Sequence, residues 1–362
     1  MAIEGAKALR RGWTTGACAA AAARAAYAAL ASGRFPDRVA IRLPRGGTAQ
    51  FALALAEIRE GRCRAGVVKD AGDDPDVTHG ALVVAEVAPA PPGSGIGFAA
   101  GEGVGTVTRA GLALAIGEPA INPGPRAMIR NALLDEADKN GLPPPDLTVK
   151  ISIPDGENLA KKTMNARLGI VGGLSILGTT GIVIPYSCSS WIHSIQRGID
   201  VARAAGLDHI AATTGATSER AVQRLYSLPD HALIEMGDFA GGTLKYLRTH
   251  PIARVTIAGG FAKLAKLAAG HLDLHSRRSR VDLAALAGRL AAVGADAAAV
   301  QAARQTEGAG EMLALAGEKQ EALARDVAKR AREVALATLS GETSIEVAIV
   351  DRDGAFIARV GC

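Results

Sequence analysis

The chain of 362 residues is long enough for roughly two domains of ~150 residues each, and 48% hydrophobic against 21% charged residues excludes a disordered chain. Its 43 glycines follow no Gly-X-Y period, which excludes collagen, and 3% aromatic residues are too few for a stacking platform on single-stranded nucleic acid. A net charge of +5 and a pI near 9.1 suit a small polyanionic ligand better than a DNA backbone, which calls for a dense basic patch.

Arg10-Arg11-Gly12-Trp13-Thr14-Thr15-Gly16 leads into an alanine-rich run over 17–31 that predicts a helix. Thr14 or Thr15 can cap it, and the helix start is then either an anion site or simply a well-capped terminus. Alternating runs at 38–43, 48–56, 63–68 and 81–87 predict strands, a helix follows Pro123 over 128–138, and 147–153 predicts a further strand. Residues 168–192 carry no charge and are long enough to span a bilayer, but Gly169, Gly172, Gly173, Gly178, Gly181 and Pro185 break them into two buried segments joined by a turn.

Strands at 181–184, 209–212, 232–236 and 254–258 alternate with helices at 189–205, 218–226, 242–248 and 261–269, the pattern of a parallel sheet covered by helices. Residues 281–339 read as helices, and 345–350 and 355–360 as a hairpin around Asp351-Arg352-Asp353-Gly354. The fold class is therefore α/β: an α+β N-terminal domain of mixed or antiparallel strands (1–165), a Rossmann-like parallel α/β domain with a helical extension (166–340), and a C-terminal β-hairpin (341–362). Cys18, Cys63, Cys188 and Cys362 form no Cys-x-x-Cys pair, which excludes a zinc ribbon or a thioredoxin motif. Residues 1–11 hold no apolar stretch of signal-peptide length, so a cytoplasmic chain with reduced thiols is expected.

Ligands of an open α/β sheet bind beyond the carboxyl ends of its strands. Those ends read Pro185-Tyr186-Ser187, Thr213-Thr214-Gly215, Gly237-Asp238-Phe239 and Gly259-Gly260, which suit an adenosyl group or serve only as tight turns. Gly93-Ser94-Gly95-Ile96-Gly97 and Gly101-Glu102-Gly103-Val104-Gly105 miss the dinucleotide fingerprint, and the sequence holds no Walker A motif. The polar loop 70–80, with Asp70, Asp73, Asp74, Asp76 and His79, is a metal site, a general base or a plain acidic surface loop. His271 and His275 stand at the i, i+4 spacing of a helical zinc site but lack the metalloprotease Glu, and Arg277, Arg278 and Arg280 beside them suit carboxylate recognition.

Taken in order, several long motifs resemble the CbiD family of cobalt-precorrin-5B C1-methyltransferases. They are Arg11-Gly12-Trp13-Thr14-Thr15-Gly16-Ala17-Cys18-Ala19, Ala71-Gly72-Asp73-Asp74-Pro75-Asp76-Val77-Thr78-His79-Gly80, Gly101-Glu102-Gly103-Val104-Gly105-Thr106-Val107-Thr108 and Ala120-Ile121-Asn122-Pro123-Gly124-Pro125-Arg126. The runs over 167–181, 236–239 and 263–270 complete the set, which extends from residue 10 to about 280. Gly124 and Ala166 depart from the family pattern, where a bulkier residue such as valine and a proline are expected.

The resemblance implies S-adenosylmethionine-dependent methylation of ring carbon C1 of a cobalt corrinoid in anaerobic vitamin B12 synthesis. Cobalt travels with the substrate, so no protein metal site is implied. On this reading Asp73, Asp74 or His79 takes a proton from the macrocycle. Gly172, Gly173, Thr179, Thr180, Gly181, Gly237 and Asp238 hold the donor, and Thr14, Thr15, Arg126, Arg167, Arg277 and Arg278 hold a macrocycle edged with carboxylates. The implied partner is the corrinoid, with no role for nucleic acid or membrane; a homo-oligomer and transient contact with neighbouring pathway enzymes are both compatible with it. Two rival readings are a non-catalytic corrinoid carrier and a nicotinamide-dependent reductase of a tetrapyrrole.

Overall fold

A computed structural model describes residues 9–339 and 341–361; residues 1–8, read above for a leader, and Cys362 lie outside the described residues. The chain divides into two units, Met1–Ser187 and Cys188–Cys362. The division therefore falls later than the boundary expected at 165/166. The reason is pairing back into the first unit across long stretches of sequence: Ile170–Val171 pairs with Thr106–Val107, and Ile182–Val183 pairs with Gly12–Trp13, both antiparallel.

In the first unit a five-stranded sheet runs in the order Leu55–Arg59, Arg62–Val68, Leu82–Pro89, Leu147–Ser152, Ile96–Ala100. Its pairs are antiparallel except the last, which is parallel. Helix Thr15–Ser32 lies between this sheet and helix Pro123–Lys139. Alanine permits this position: Ala17, Ala19 to Ala23, Ala25 and Ala26 are all fully buried, so backbone approaches backbone with little side-chain volume between. Thr14 caps the helix through its Oγ1, which accepts from Ala17 N at 3.2 Å, and Gly33 closes it in the left-handed region at φ 74°. The run read as one strand over 48–56 is two, Thr48–Ala52 pairing with Arg38–Arg42 and Leu55–Arg59 joining the larger sheet.

The second unit carries a sheet ordered Leu233–Glu235, His209–Thr213, Arg254–Gly260, Ser344–Val350, Phe356–Val360. The first four strands are parallel and the last is antiparallel. Helices Cys188–Ala204, Ala216–Tyr226, Ala240–Leu247, Phe261–Ala268 and Gln320–Leu339 pack around it, and their buried Ile, Leu, Val and Ala side chains form its core. Two expectations change here. The segment 181–184 is not a strand of this sheet, being paired with Gly12–Trp13. Ser344–Val350 is its fourth parallel strand, buried along nearly its whole length as a two-sided strand must be. Ser344–Val350 and Phe356–Val360 thus complete this sheet as well as pairing with each other. No helix among the described residues is long and apolar enough to cross a membrane, and the uncharged stretch 168–192 is short strands, bends and a helix start.

Candidate functional site

The most tightly built polar region of the first unit is the loop 70–80, which interlocks with the segment before the first helix. A Cβ on Gly12 would lie 2.0 Å from the Ala71 carbonyl carbon, and one on Gly72, at φ 69°, would lie 2.1 Å from Arg10 O. Glycine is required at both because two backbones cross in contact. Arg10 exchanges main-chain hydrogen bonds with Asp73, donating to its carboxylate at 2.6 Å and accepting from its N–H at 2.9 Å. The Arg10 guanidinium forks onto the Asp70 carboxylate. With that fork and the Gly72 N–H at 2.9 Å, Asp70 is held down at about 2. Asp76 is pushed up by burial, but the fully buried Lys69 ammonium at 2.6 Å and the Thr78 N–H and hydroxyl prevail and hold it below the ordinary carboxylate range.

Of the three expected proton acceptors, Asp74, half-buried, accepts from Tyr186 N at 2.8 Å, and Asp73, exposed, accepts from Arg10 N. His79 is half exposed, with Nδ1 accepting from Ala71 N at 3.1 Å. The structure therefore brings Asp73, Asp74 and His79 onto one loop, fastened to 10–13 and 186. The pairing of Arg10 with Asp70 is not legible in the sequence, because the contact joining them spans 60 residues and leaves no local pattern.

Thr14, half-buried, and Thr15 are both hydrogen-bonded within the chain. Thr15 is buried, its hydroxyl bonds both Leu177 O at 3.2 Å and Leu177 N at 2.9 Å, and Gly16 N donates to Leu177 O at 2.9 Å. The helix start is thus a capped terminus docked on Leu177, which corrects the anion-site alternative. Arg126 is likewise committed: it donates to Ile121 O at 2.7 Å, Glu118 at 2.9 Å and Pro119 O at 3.2 Å. It shapes the loop before its own helix and offers no free fork for a carboxylate. Arg167 is half-buried.

The glycines expected to hold the donor in the first unit separate into two kinds. Gly173 is packed on Gly103, where a Cβ would approach to 2.3 Å, and Gly181 is packed against Leu43. Thr180 is turned onto its own strand, bonding Ile182 N and O. Gly172 and Thr179 are exposed, with open space around Gly172 at φ 83°. The other glycine run, at 93–97, is closed from within: Gly93 N and Gly95 N donate to the Asp146 carboxylate at 2.8 and 2.6 Å, so it is no phosphate cradle.

In the second unit the order in which the parallel strands are added reverses between His209–Thr213 and Arg254–Gly260, which opens a crevice position at their carboxyl ends. There Gly215 and Gly260 precede helices Ala216–Tyr226 and Phe261–Ala268 without a side-chain cap, and each has open space where a Cβ would stand. Gly237, at φ 58°, faces the Trp191 indole, which donates to Glu235 O at 3.1 Å. Asp238 is ion-paired with Lys263, and the buried Lys266 donates to Leu274 O at 2.9 Å, so residues 271–275 are strapped across this edge. That strap is a loop, which corrects the helical i, i+4 zinc reading of His271 and His275; no cluster able to hold a metal is found among the described residues. Arg278 pairs with Asp273 at 2.8 Å, whereas Arg277 is exposed.

Fold and site together define an α/β chain with a glycine-lined carboxyl edge in one unit and a densely hydrogen-bonded polar loop in the other. The family model CbiD matches residues 2–185, and the model for the CbiD C-terminal domain matches 273–361. The chain belongs to the CbiD family. It is 58% identical over 352 residues to a cobalt-precorrin-5B C(1)-methyltransferase of Paramagnetospirillum magneticum, covering 97% of this chain and 98% of that protein. A protein of the same name from a Bradyrhizobium species is 59% identical, over 97% of this chain and 93% of its own length. A crystal structure of cobalamin biosynthesis protein CbiD from Archaeoglobus fulgidus is 32% identical, with a TM-score of 0.40, over 75% of this chain and 83% of that one. The likeness therefore continues through residue 361, past the last motif legible near 280.

Proposed function

We propose that this chain transfers a methyl group to C-1 of cobalt-precorrin-5B in cobalamin biosynthesis. The observation that carries the reading is identity of 55–59% over nearly the whole length to proteins of that one name. The carrier and reductase readings gain nothing from these relatives. A methyltransferase needs a methyl donor, and the reading takes it to be S-adenosylmethionine, which supplies an electrophilic methyl on a sulfonium.

The carboxyl edge of the second unit fits such a donor, because Gly215 and Gly260 leave main-chain space there. Gly237 and Asp238 stay in the proposed donor set, with Asp238 acting as part of an ion pair. In the first unit the exposed Gly172 and Thr179 stay in it as well, and Gly173, Thr180 and Gly181 hold the segment around them. In-line transfer asks the protein mainly for alignment of carbon, methyl and sulfur. If the macrocycle must first lose a proton to make C-1 nucleophilic, Asp73 or Asp74 takes it. The exposed Arg277 remains a carboxylate clamp, and Arg167 and Arg278 complete the proposed substrate set. The reading places the reaction in the cytoplasm, where Cys18, Cys63 and Cys188 stay as free thiols.

The test is macrocycle-dependent formation of S-adenosylhomocysteine by the purified chain under anaerobic conditions. S-adenosylhomocysteine is also expected to raise the unfolding midpoint while NADPH does not. Protection by NADPH alone would turn the reading toward the reductase, and macrocycle binding without donor turnover toward the carrier.

A further inference from the structure

We propose that His79 recognises a side-chain carboxylate of the macrocycle as a hydrogen-bond donor through Nε2, and is not the base; this rests on the methyl-transfer reading above. The argument is one of hydrogen positions. Ala71 N–H points at Nδ1 over 3.1 Å, and a main-chain N–H can only donate, so Nδ1 is the acceptor. Neutral His79 therefore carries its proton on Nε2. A proton on Nδ1 would set two donors against each other. His79 held in this way offers no lone pair to a substrate C–H or N–H.

The surroundings are prepared for a donor. The backbone that carries the ring is fixed by His79 N to Asp76 O at 3.0 Å and Gly80 N to Lys69 O at 2.8 Å. The acidic groups nearby do not repel an arriving carboxylate at full strength, because Asp70 is neutralised by Arg10 and Asp76 by Lys69. Asp73 and Asp74 each spend one oxygen on a main-chain N–H. The imidazole itself is half exposed and reachable.

Two side chains separate the roles, since glutamine places an amide N–H near the Nε2 position while asparagine places an acceptor near Nδ1. On the full chain, His79→Gln is expected to keep macrocycle affinity and kcat within about threefold. His79→Asn is expected to weaken binding roughly tenfold or more with kcat nearly unchanged, the size of a lost charge-assisted hydrogen bond. Nitrogen-15 NMR of the histidine-labelled chain, with the signal assigned by its loss in His79→Gln, is expected to show the Nε2–H tautomer at neutral pH. A δ tautomer, equal affinity in both variants, or a matched fall in kcat for both would overturn the assignment while leaving methyl transfer by the unaltered chain intact. An unaltered chain that neither binds the corrinoid nor consumes the donor removes the parent reading, and the assignment falls with it.

Discussion

Gly12 and Gly72 are each the point where one backbone rests on another, and neither position can give way. A Cβ at Gly12 meets Ala71 main-chain atoms, so Gly12→Ala is expected to cost about 3 kcal/mol, at the large end of single substitutions, and a urea melt measures it. Asp70 gives a second check, through pH. Its folded pKa of about 2 lies below the ordinary 3.8 because Arg10 and Gly72 bond the carboxylate. The stabilisation is therefore fully present above the unfolded value and is lost as pH falls through the folded one. Asp70→Asn is expected to flatten the loss of stability between about pH 4 and pH 2, followed by thermal melts; an unchanged acid limb would show that the Arg10 fork contributes nothing. At this scale the sequence made the residues of the loop visible as a dense polar cluster. It hid their assignments, since which nitrogen of His79 is occupied depends on Ala71, and the state of Asp70 on a residue 60 positions away.

Elements were more legible than their partners. Helix Thr15–Ser32 follows from alanine content and the Thr14 cap, and the strands at 209–213 and 254–260 from short apolar runs between helices. The strand at 182–183 was assigned to the wrong sheet because an uncharged β-branched pair pairs as readily with Gly12–Trp13 as with a neighbour in sequence. Ser344–Val350 was read as half of a local hairpin. That pairing exists, with Val350 opposite Phe356, but nothing in the run announces its parallel partner across the helices from 261 to 339. What fixes it there includes Glu346, buried in the sheet face, which accepts from Tyr226 at 2.6 Å, Thr256 at 2.8 Å and Arg359 at 2.8 and 3.0 Å. Burial and this carboxylate push the Tyr226 phenol up to about 12. Glu346→Gln is expected to return that phenol toward its ordinary range in a spectroscopic titration. It is also expected to cost about 2 kcal/mol, below the usual figure for a broken buried pair because the arginines are one-third exposed.

For the whole molecule, the residues expected to meet the donor and the macrocycle are distributed over two units with separate cores. Composition excluded nucleic acid platforms and disorder, and the strand–helix alternation identified the class of the second unit; the reaction itself was carried by the long motifs. Those motifs proved to mix two kinds of residue. Gly12, Gly72 and Gly173 stand in them for backbone contact and Gly181 for packing on Leu43, while Asp73, Asp74 and His79 are the candidates for chemistry, and spacing alone does not separate the two. The central claim is tested most directly by anaerobic incubation of the chain with cobalt-precorrin-5B and S-adenosylmethionine bearing a carbon-13 methyl. One labelled methyl at C-1, with an equal amount of S-adenosylhomocysteine, is the predicted result. A macrocycle that binds tightly and stays unlabelled, or a label at another carbon, would contradict it.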